Sequence, residues 1–341
     1  MPSPLAPRFV ELQALLGGAR SVVVAGHERA DGDAVGAVGS LRRHLELEGK
    51  QVMALLCEPL SPRYAFMEFA RRHEVWSPER HGDLLAAADV FVMCDLNSLA
   101  RLGPLREPLE AGRARTVCFD HHPCDDGGPA DLNLLDSTAT ATGRIVWDYI
   151  RHAKGRIDHE IAECVFVSIA SDTGWFRYQN TDAEVIRLAA ELSEFRLDLP
   201  AIHRSIYQSN GLPLVRLLGH VVRSMNVECD GRFAWALIHH EFLADLGVDR
   251  FESDPILDVM RSGDGVSVVA LFTQNADRSV SLSLRSRGRP DVNRLARLVG
   301  GGGHAFAAGA TLEASRAEQQ VHEIVSAVRQ ALRPGRARET A

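Results

Sequence analysis

The chain has 341 residues, 45% of them apolar and 24% charged, with a formal net charge of −7. That length makes about two domains of ordinary size, and the composition is that of a globular protein with large cores. The negative charge argues against a duplex-DNA binder, which carries a basic face, and no apolar run reaches the roughly 18 residues of a membrane-spanning helix.

In chain order, the opening "MPSPLAPRFVELQALLGG" lacks the basic, apolar and small-residue regions of a signal peptide. "SVVVAG" (21–26) reads as a short buried strand, and residues 33–48 repeat apolar positions at helical spacing until Gly49. "QVMALLC", "DVFVMCD" (89–95) and "RTVCFD" (115–120) read as further strands with helices between them. Short apolar strands alternating with helices predict a parallel sheet covered on both faces. The pattern is helical from Ser137 to about Ala170, with a break at Lys154-Gly155, and again from Thr181 to about Gly219. The six cysteines (57, 94, 118, 124, 164, 229) include no C-x-x-C pair, and several lie in apolar runs. Reduced thiols in a cytoplasmic protein are expected.

The texture then changes. "MNVECDGRFAWALIHH" holds two extended runs about Asp230-Gly231, a dipeptide that favours a tight hairpin turn. "VSVVALFTQNADRSVSLSLRS" adds two strands, followed by a helix at 291–299, the run "GGGGH" and a last helix from about Ala317. The reading is α/β: a parallel-sheet domain over 1–196, a helical connector over 197–213, a smaller α/β domain with antiparallel strands over 214–335, and a disordered tail at 336–341.

Polar groups collect where the strands of the first domain end. "SVVVAG" is followed by His27, Asp31 and Asp33, "VFVMC" by Asp95, and "TVCF" by Asp120, His121 and His122. In an open parallel sheet such positions converge outside the carboxyl ends of the strands. Asp172 ends a predicted helix, where the helix dipole disfavours an anion, so a nearby cation is expected. Five carboxylates and three imidazoles on one edge repel without a counter-charge. A pair of divalent ions about 3.5–4 Å apart resolves this by sharing a carboxylate. Oxygen and nitrogen ligands without thiolate suit Mn²⁺ or Mg²⁺ better than structural zinc.

His27-x-x-x-Asp31-x-Asp33, Asp95, Asp120-His121-His122 and Asp172 resemble the four motifs of the DHH phosphoesterases. "SLRSRGRPDVNRLARLVGGGGHAFAAGA" (283–310) resembles their DHHA1 domain. The similarity runs over about residues 8–330 and is strongest to the nanoRNase/pAp phosphatase (NrnA-like) branch. It implies that His27 and Asp31 hold one metal, that Asp33, His121 and Asp172 hold the other, and that Asp95 bridges. Asp120 would then support the histidines and His122 would reach the substrate phosphate, these two forming the catalytic pair. The metals implied are two Mn²⁺, with Mg²⁺ or Co²⁺ as alternatives. The family usually carries Asn-Pro where Arg29-Ala30 stands here.

Glycines let a backbone offer N–H groups to an anion, and a guanidinium grips phosphate with paired hydrogen bonds. Gly301, Gly302, Gly303, His304, Arg285 and Ser286 are therefore the candidate substrate residues, with Arg101 a further one after Asp95. "HHE" (239–241) has no partners in the pattern and is read as structural. The expectation is a hydrolase whose active site lies in the cleft between its domains. It would cut RNAs of about 2–5 nucleotides to 5′-mononucleotides, and 3′-phosphoadenosine 5′-phosphate (pAp) to AMP, for want of further stacking subsites. Alternatives are a cyclic- or linear-dinucleotide phosphodiesterase, a RecJ-like exonuclease and a non-catalytic nucleotide sensor. Short RNA or nucleotides are the expected partners, without duplex DNA or membrane, and a homodimer is compatible.

Overall fold

The structure, a computed structural model, describes residues 3–124, 127–209, 211–248, 251 and 253–333, so the tail at 336–341 lies outside the described residues. The chain forms two compact units, Met1–Ser209 and Asn210–Ala341. The first comprises α1 (Ala6–Gly18), β1 (Ser21–Gly26), α2 (Gly32–Leu47), β2 (Gln51–Leu56), β3 (His73–Val75), α3 (Pro78–Ala86) and β4 (Val90–Cys94). It continues with α4 (Arg106–Ala111), β5 (Arg115–Asp120), β6 (Leu132–Leu135), α5 (Thr142–His152), α6 (His159–Asp172), α7 (Ala183–Ser193) and α8 (Leu199–Tyr207).

The six strands make one parallel sheet in the order β3-β2-β1-β4-β5-β6. Period-two alternation splits β1 between two cores: Val22 and Val24 pack with Val38, Ile145 and Val165, while Val23 and Ala25 pack with Leu85, Leu102 and Leu109. The strand order reverses between β1 and β4, so the loops leaving these two strands diverge and open a crevice at their carboxyl ends. The edge strands β3 and β6 were not expected; at three and four residues they carry too short an apolar run to be read.

α2 runs from β1 into the core. Its N-cap is Asp31, whose Oδ1 accepts from the backbone N–H of Asp33 and Ala34 at 3.0 and 3.1 Å. Further along, α2 approaches α6 so closely that a Cβ on Gly36 would stand 2.3 Å from the Cys164 carbonyl oxygen and 2.7 Å from Ser168 Cβ. Overpacking of this kind costs about 1–3 kcal/mol. The contact brings the C-terminal half of α6, with Ser168 and Asp172, beside the start of α2.

The second unit contains α9 (Leu212–Ser224), β7 (Asn226–Glu228), β8 (Phe233–Ile238), α10 (His240–Asp245), α11 (Asp254–Arg261) and β9 (Val268–Gln274). β10 (Val280–Ser286), α12 (Val292–Arg297), β11 (Gly302–Gly303), β12 (Ala307–Leu312) and α13 (Ala317–Ala331) follow. The sheet order is β11-β12-β10-β9-β8-β7. The expected hairpin turn is present: Asp230 and Gly231 both have positive φ (56° and 83°), and Arg232 N–H donates to the Cys229 carbonyl at 3.2 Å. The expected antiparallel strands are present in four pairings, β7 with β8, β9 with β10, β10 with β12 and β11 with β12, and one pairing differs. β8 and β9 pair in parallel, so the sheet is mixed; α10 and α11 carry the chain back to start β9 alongside β8. In the stretch expected as a connector, α8 packs Ile202 and Ile206 into the first unit's core; α9, which begins at its end, packs Leu217 and Val221 into the second's. Among the described residues no helix is long and apolar enough to cross a membrane.

Candidate active site

His27 follows β1, Asp95 follows β4 and Asp120 ends β5, so three adjacent strands deliver them to one edge. His27 and Asp95 are 5% and 2% exposed, and Asp120 is fully buried. Asp95 adopts a left-handed φ of 64°, an uncommon conformation that Asp tolerates better than most side chains. Its two carboxylate oxygens face different neighbours. Oδ2 lies 3.3 Å from His27 Nε2, while Oδ1 lies 3.8 Å from His121 Nε2 and 3.5 Å from His122 Nδ1.

Three sets of possible metal ligands converge here. In His27–Asp31–Asp95, Asp33–His121–Asp172 and Asp95–His121–His122, one ligand atom from each residue lies within 4.8 Å of the others. Every residue expected from the sequence to ligate metal is in at least one set. His27 directs Nδ1 at the Glu28 carbonyl, 2.5 Å away, so Nε2 is the nitrogen that could ligate a metal. That Nε2 is buried and makes no hydrogen bond, while Asp95 and Asp31 oxygens stand 3.3 and 3.9 Å from it. A buried imidazole nitrogen aimed at two carboxylates makes a mixed nitrogen and oxygen donor set, which fits a divalent ion. His121 is arranged alike: Nδ1 faces the Ala139 carbonyl at 3.3 Å, and Nε2 lies 3.6–3.8 Å from Asp33, Asp95 and Asp172 oxygens.

Asp33 is held most firmly. Its Oδ1 accepts from Ser168 Oγ (2.6 Å) and Gly143 N (3.0 Å), and its Oδ2 from Thr142 N (2.8 Å). Thr142 and Gly143 are the first residues of α5, whose N-cap Ala141 has no side-chain acceptor, so Asp33 serves the orphan N–H groups of that helix. Burial and the neighbouring Asp95 charge nevertheless raise the Asp33 carboxyl to about 7, and burial with Asp33 and Asp95 pushes Asp172 well above the usual range. Burial acts in the same sense on Asp95, but His27 outweighs it and holds that carboxyl low. Burial, like charges and the neighbouring imidazoles thus set the carboxyl groups of one cluster apart. Asp120 Oδ1 accepts from His122 Nδ1 at 2.7 Å, which orients the ring.

Arg101 also lies beside the cluster: its Nη1 is 3.4 Å from the Asp95 carbonyl, and its own carbonyl accepts from Glu28 N at 2.8 Å. Arg29 is exposed at a left-handed φ of 56°, a conformation that asparagine accepts more readily.

The remaining candidates belong to the second unit. Arg285 is bound to Asp254, with Nη2 to Oδ1 at 2.6 Å. Ser286 is 2% exposed and spends its hydroxyl on the Ala305 carbonyl and Gly288 N–H, so it shapes the turn rather than offering a donor to substrate. In the glycine run, a Cβ on Gly301 would meet the Gly309 carbonyl at 2.2 Å and one on Gly303 the Ala307 carbonyl at 2.5 Å. Those two glycines are required by the close pairing of β11 with β12, whereas Gly302 faces open space. The Gly-Gly-Gly-His run, expected to offer N–H groups to an anion, takes the form of a two-residue strand, Gly302–Gly303, and its exit. His304 follows, with its N–H donating to the Ala307 carbonyl at 2.7 Å.

Residues 21–169 match the DHH family N-terminal domain and residues 236–333 the DHHA1 domain. The bifunctional oligoribonuclease and PAP phosphatase NrnA of Thermus thermophilus is 30% identical over 311 residues, covering 91% of this chain and 90% of that protein. The chain belongs to the DHH/DHHA1 phosphoesterase family. As a member of it the protein is a hydrolase of phosphoester bonds. Two solved structures share the fold. An exopolyphosphatase-related protein from Bacteroides fragilis superposes with a TM-score of 0.87 at 23% identity, over 96% of this chain and 97% of that one. RecJ of Thermus thermophilus, solved with Mn²⁺, gives 0.60 at 16% identity over 100% of this chain and 57% of RecJ.

The sequence reading missed Thr142, Gly143, Ser168, Ala139 and Asn180, which hold the DHH cluster in place. Nothing in their spacing marks them, because backbone groups and small hydroxyls carry no motif.

Proposed function

We propose that the protein hydrolyses short RNA oligonucleotides of about 2–5 residues to 5′-mononucleotides, and pAp to AMP, with two divalent cations, Mn²⁺ foremost. The observation that carries this reading is Asp95, which turns one oxygen toward His27 and the other toward His121. A carboxylate so placed can serve two cations at once. The likeness to the Thermus thermophilus enzyme along nearly the whole chain supports the choice of substrates.

His27 and Asp31 would hold one cation, Asp33, His121 and Asp172 the other, with Asp95 between them. When bound, such cations lower the pKa of water and neutralise charge on a phosphoryl group. The chain's own residues do the remaining work. Asp120 fixes the tautomer of His122, so that Nε2 is the nitrogen presented to a phosphate oxygen. Burial lowers the His122 pKa, but Asp120 and Asp95 raise it on balance, which favours a donor at that nitrogen. Arg101 adds a positive charge beside Asp95, and Arg285 with His304 would hold a non-scissile phosphate. The test is turnover with Mn²⁺ across pAp, linear dinucleotides, cyclic dinucleotides and RNAs of rising length. Fast cleavage of pAp and short RNA is the expected result; a preference for cyclic dinucleotides or long single strands would reassign the enzyme.

A further inference from the structure

The five-residue segment from Ala139 to Gly143 touches four of the six proposed metal ligands, directly or through one residue. The Ala139 carbonyl faces His121 Nδ1 at 3.3 Å. The Thr140 carbonyl accepts from Asn180 Nδ2 at 3.4 Å, and the same amide reaches Asp172 Oδ2 at 3.4 Å and the Asp172 carbonyl at 3.1 Å. The backbone N–H groups of Thr142 and Gly143 fix Asp33. Thr142 alone spans both cation groups: its N–H holds Asp33 Oδ2 at 2.8 Å, and its hydroxyl donates to Asp95 Oδ1 at 3.1 Å.

We propose that Ala139–Gly143 is the positioning segment of the metal centre, with Thr142 the residue that sets Asp33 and Asp95 relative to each other. Two features make it rigid. Thr142 is fully buried at the first position of α5, and Gly143 lies so close to Ser168 that a Cβ would stand 2.2 Å from its Oγ. A carboxylate oxygen without such a donor can rotate; one that accepts from Thr142 keeps its remaining lone pair aimed into the cluster. Thr142 reaches neither substrate nor reacting atoms in this scheme. It acts through the two carboxylates.

The inference rests on the two-cation reading. Partners that orient metal ligands typically contribute about 10- to 100-fold in metal affinity. Thr142→Val keeps the side chain's shape without its hydroxyl and should weaken Mn²⁺ binding by about that factor, read by titration calorimetry or by the free Mn²⁺ resonance signal. Thr142→Ser should bind close to wild type. Should the valine variant not fold, the alanine and serine variants, which differ from each other only by the hydroxyl, give the same comparison. In all folded variants, excess Mn²⁺ should restore kcat with the KM for nucleotide unchanged. Equal Mn²⁺ affinity in alanine, valine and serine variants would overturn the role of Thr142 and leave the metal reading standing. A wild-type protein that binds no Mn²⁺ would overturn both.

Discussion

Arg285 donates to the Asp254 carboxylate at 2.6 Å, so the guanidinium proposed to grip a phosphate already holds an anion of its own chain. Asp254 is well exposed and a pair of this kind is worth about 0–1 kcal/mol, too little to exclude a substrate phosphate. A phosphate held there as proposed would have to displace it all the same. Asp254→Asn should therefore lower the KM for pAp by up to about fivefold, the equivalent of about 1 kcal/mol. Arg285→Ala should lower kcat/KM on nucleotides by roughly 10- to 150-fold, the loss of a charge-assisted hydrogen bond, and affect a simple aryl phosphate far less. Steady-state kinetics on both substrates decides; equal losses would make Arg285 structural.

Cation binding should be visible in stability. With Mn²⁺ at about 100 times its dissociation constant, one site adds about 2.7 kcal/mol, which raises Tm measurably. Asp95→Asn should retain the fold of the metal-free protein, lose most of the Mn²⁺-induced rise and have no turnover. A chelator should abolish wild-type activity. An active Asp95→Asn enzyme would refute the shared-carboxylate arrangement.

The pH dependence has a definite sign. Asp33 is raised to about 7 in the folded, metal-free protein, so between the ordinary carboxylate range and 7 the folded state binds more protons than the unfolded. Burial lowers His27, but Asp95 and Asp31 outweigh it and raise that pKa, which works in the same direction. Metal-free protein should thus lose stability as pH rises from about 5 to above 7, and Mn²⁺ should cancel the loss. Mn²⁺ binding near neutrality should release protons, measured by calorimetry in buffers of different ionisation enthalpy. No proton release would mean that the carboxylates are already ionised.

The convergence of His27, Asp95 and the Asp120–His122 run was readable in advance because they end or follow the apolar strands β1, β4 and β5, and a parallel sheet gathers such positions on one edge. The supports were not. Thr142 and Gly143 lie in "TATATG", which reads as the start of a helix, and their role depends on α5 meeting Asp33 more than a hundred residues earlier in the chain. The parallel pairing of β8 with β9 was likewise hidden, because strand direction depends on where α10 and α11 return the chain. The packing role of Gly301 and Gly303 was not read either, because a glycine's lack of a side chain serves a ligand and a neighbouring strand equally.

Substrate length provides the fourth test. Aromatic residues make up only 6% of the chain, and stacking contributes about 1–3 kcal/mol per base where platforms exist. Rates should be highest for RNAs of roughly two to five nucleotides and fall steeply beyond, as the chain carries a net charge of −7. Digestion of a long single strand at the rate of a dinucleotide would favour a RecJ-like enzyme.

The left-handed backbone at Asp95 also limits which replacements that position can accept. Glycine and asparagine are the other residues that enter this region cheaply, and neither supplies a carboxylate. A lineage relieved of selection for hydrolysis could drift to either without unfolding, whereas β-branched side chains would be removed for stability alone. Glycine or asparagine at this one position would therefore be the mark of a relative that has kept the fold and given up the chemistry.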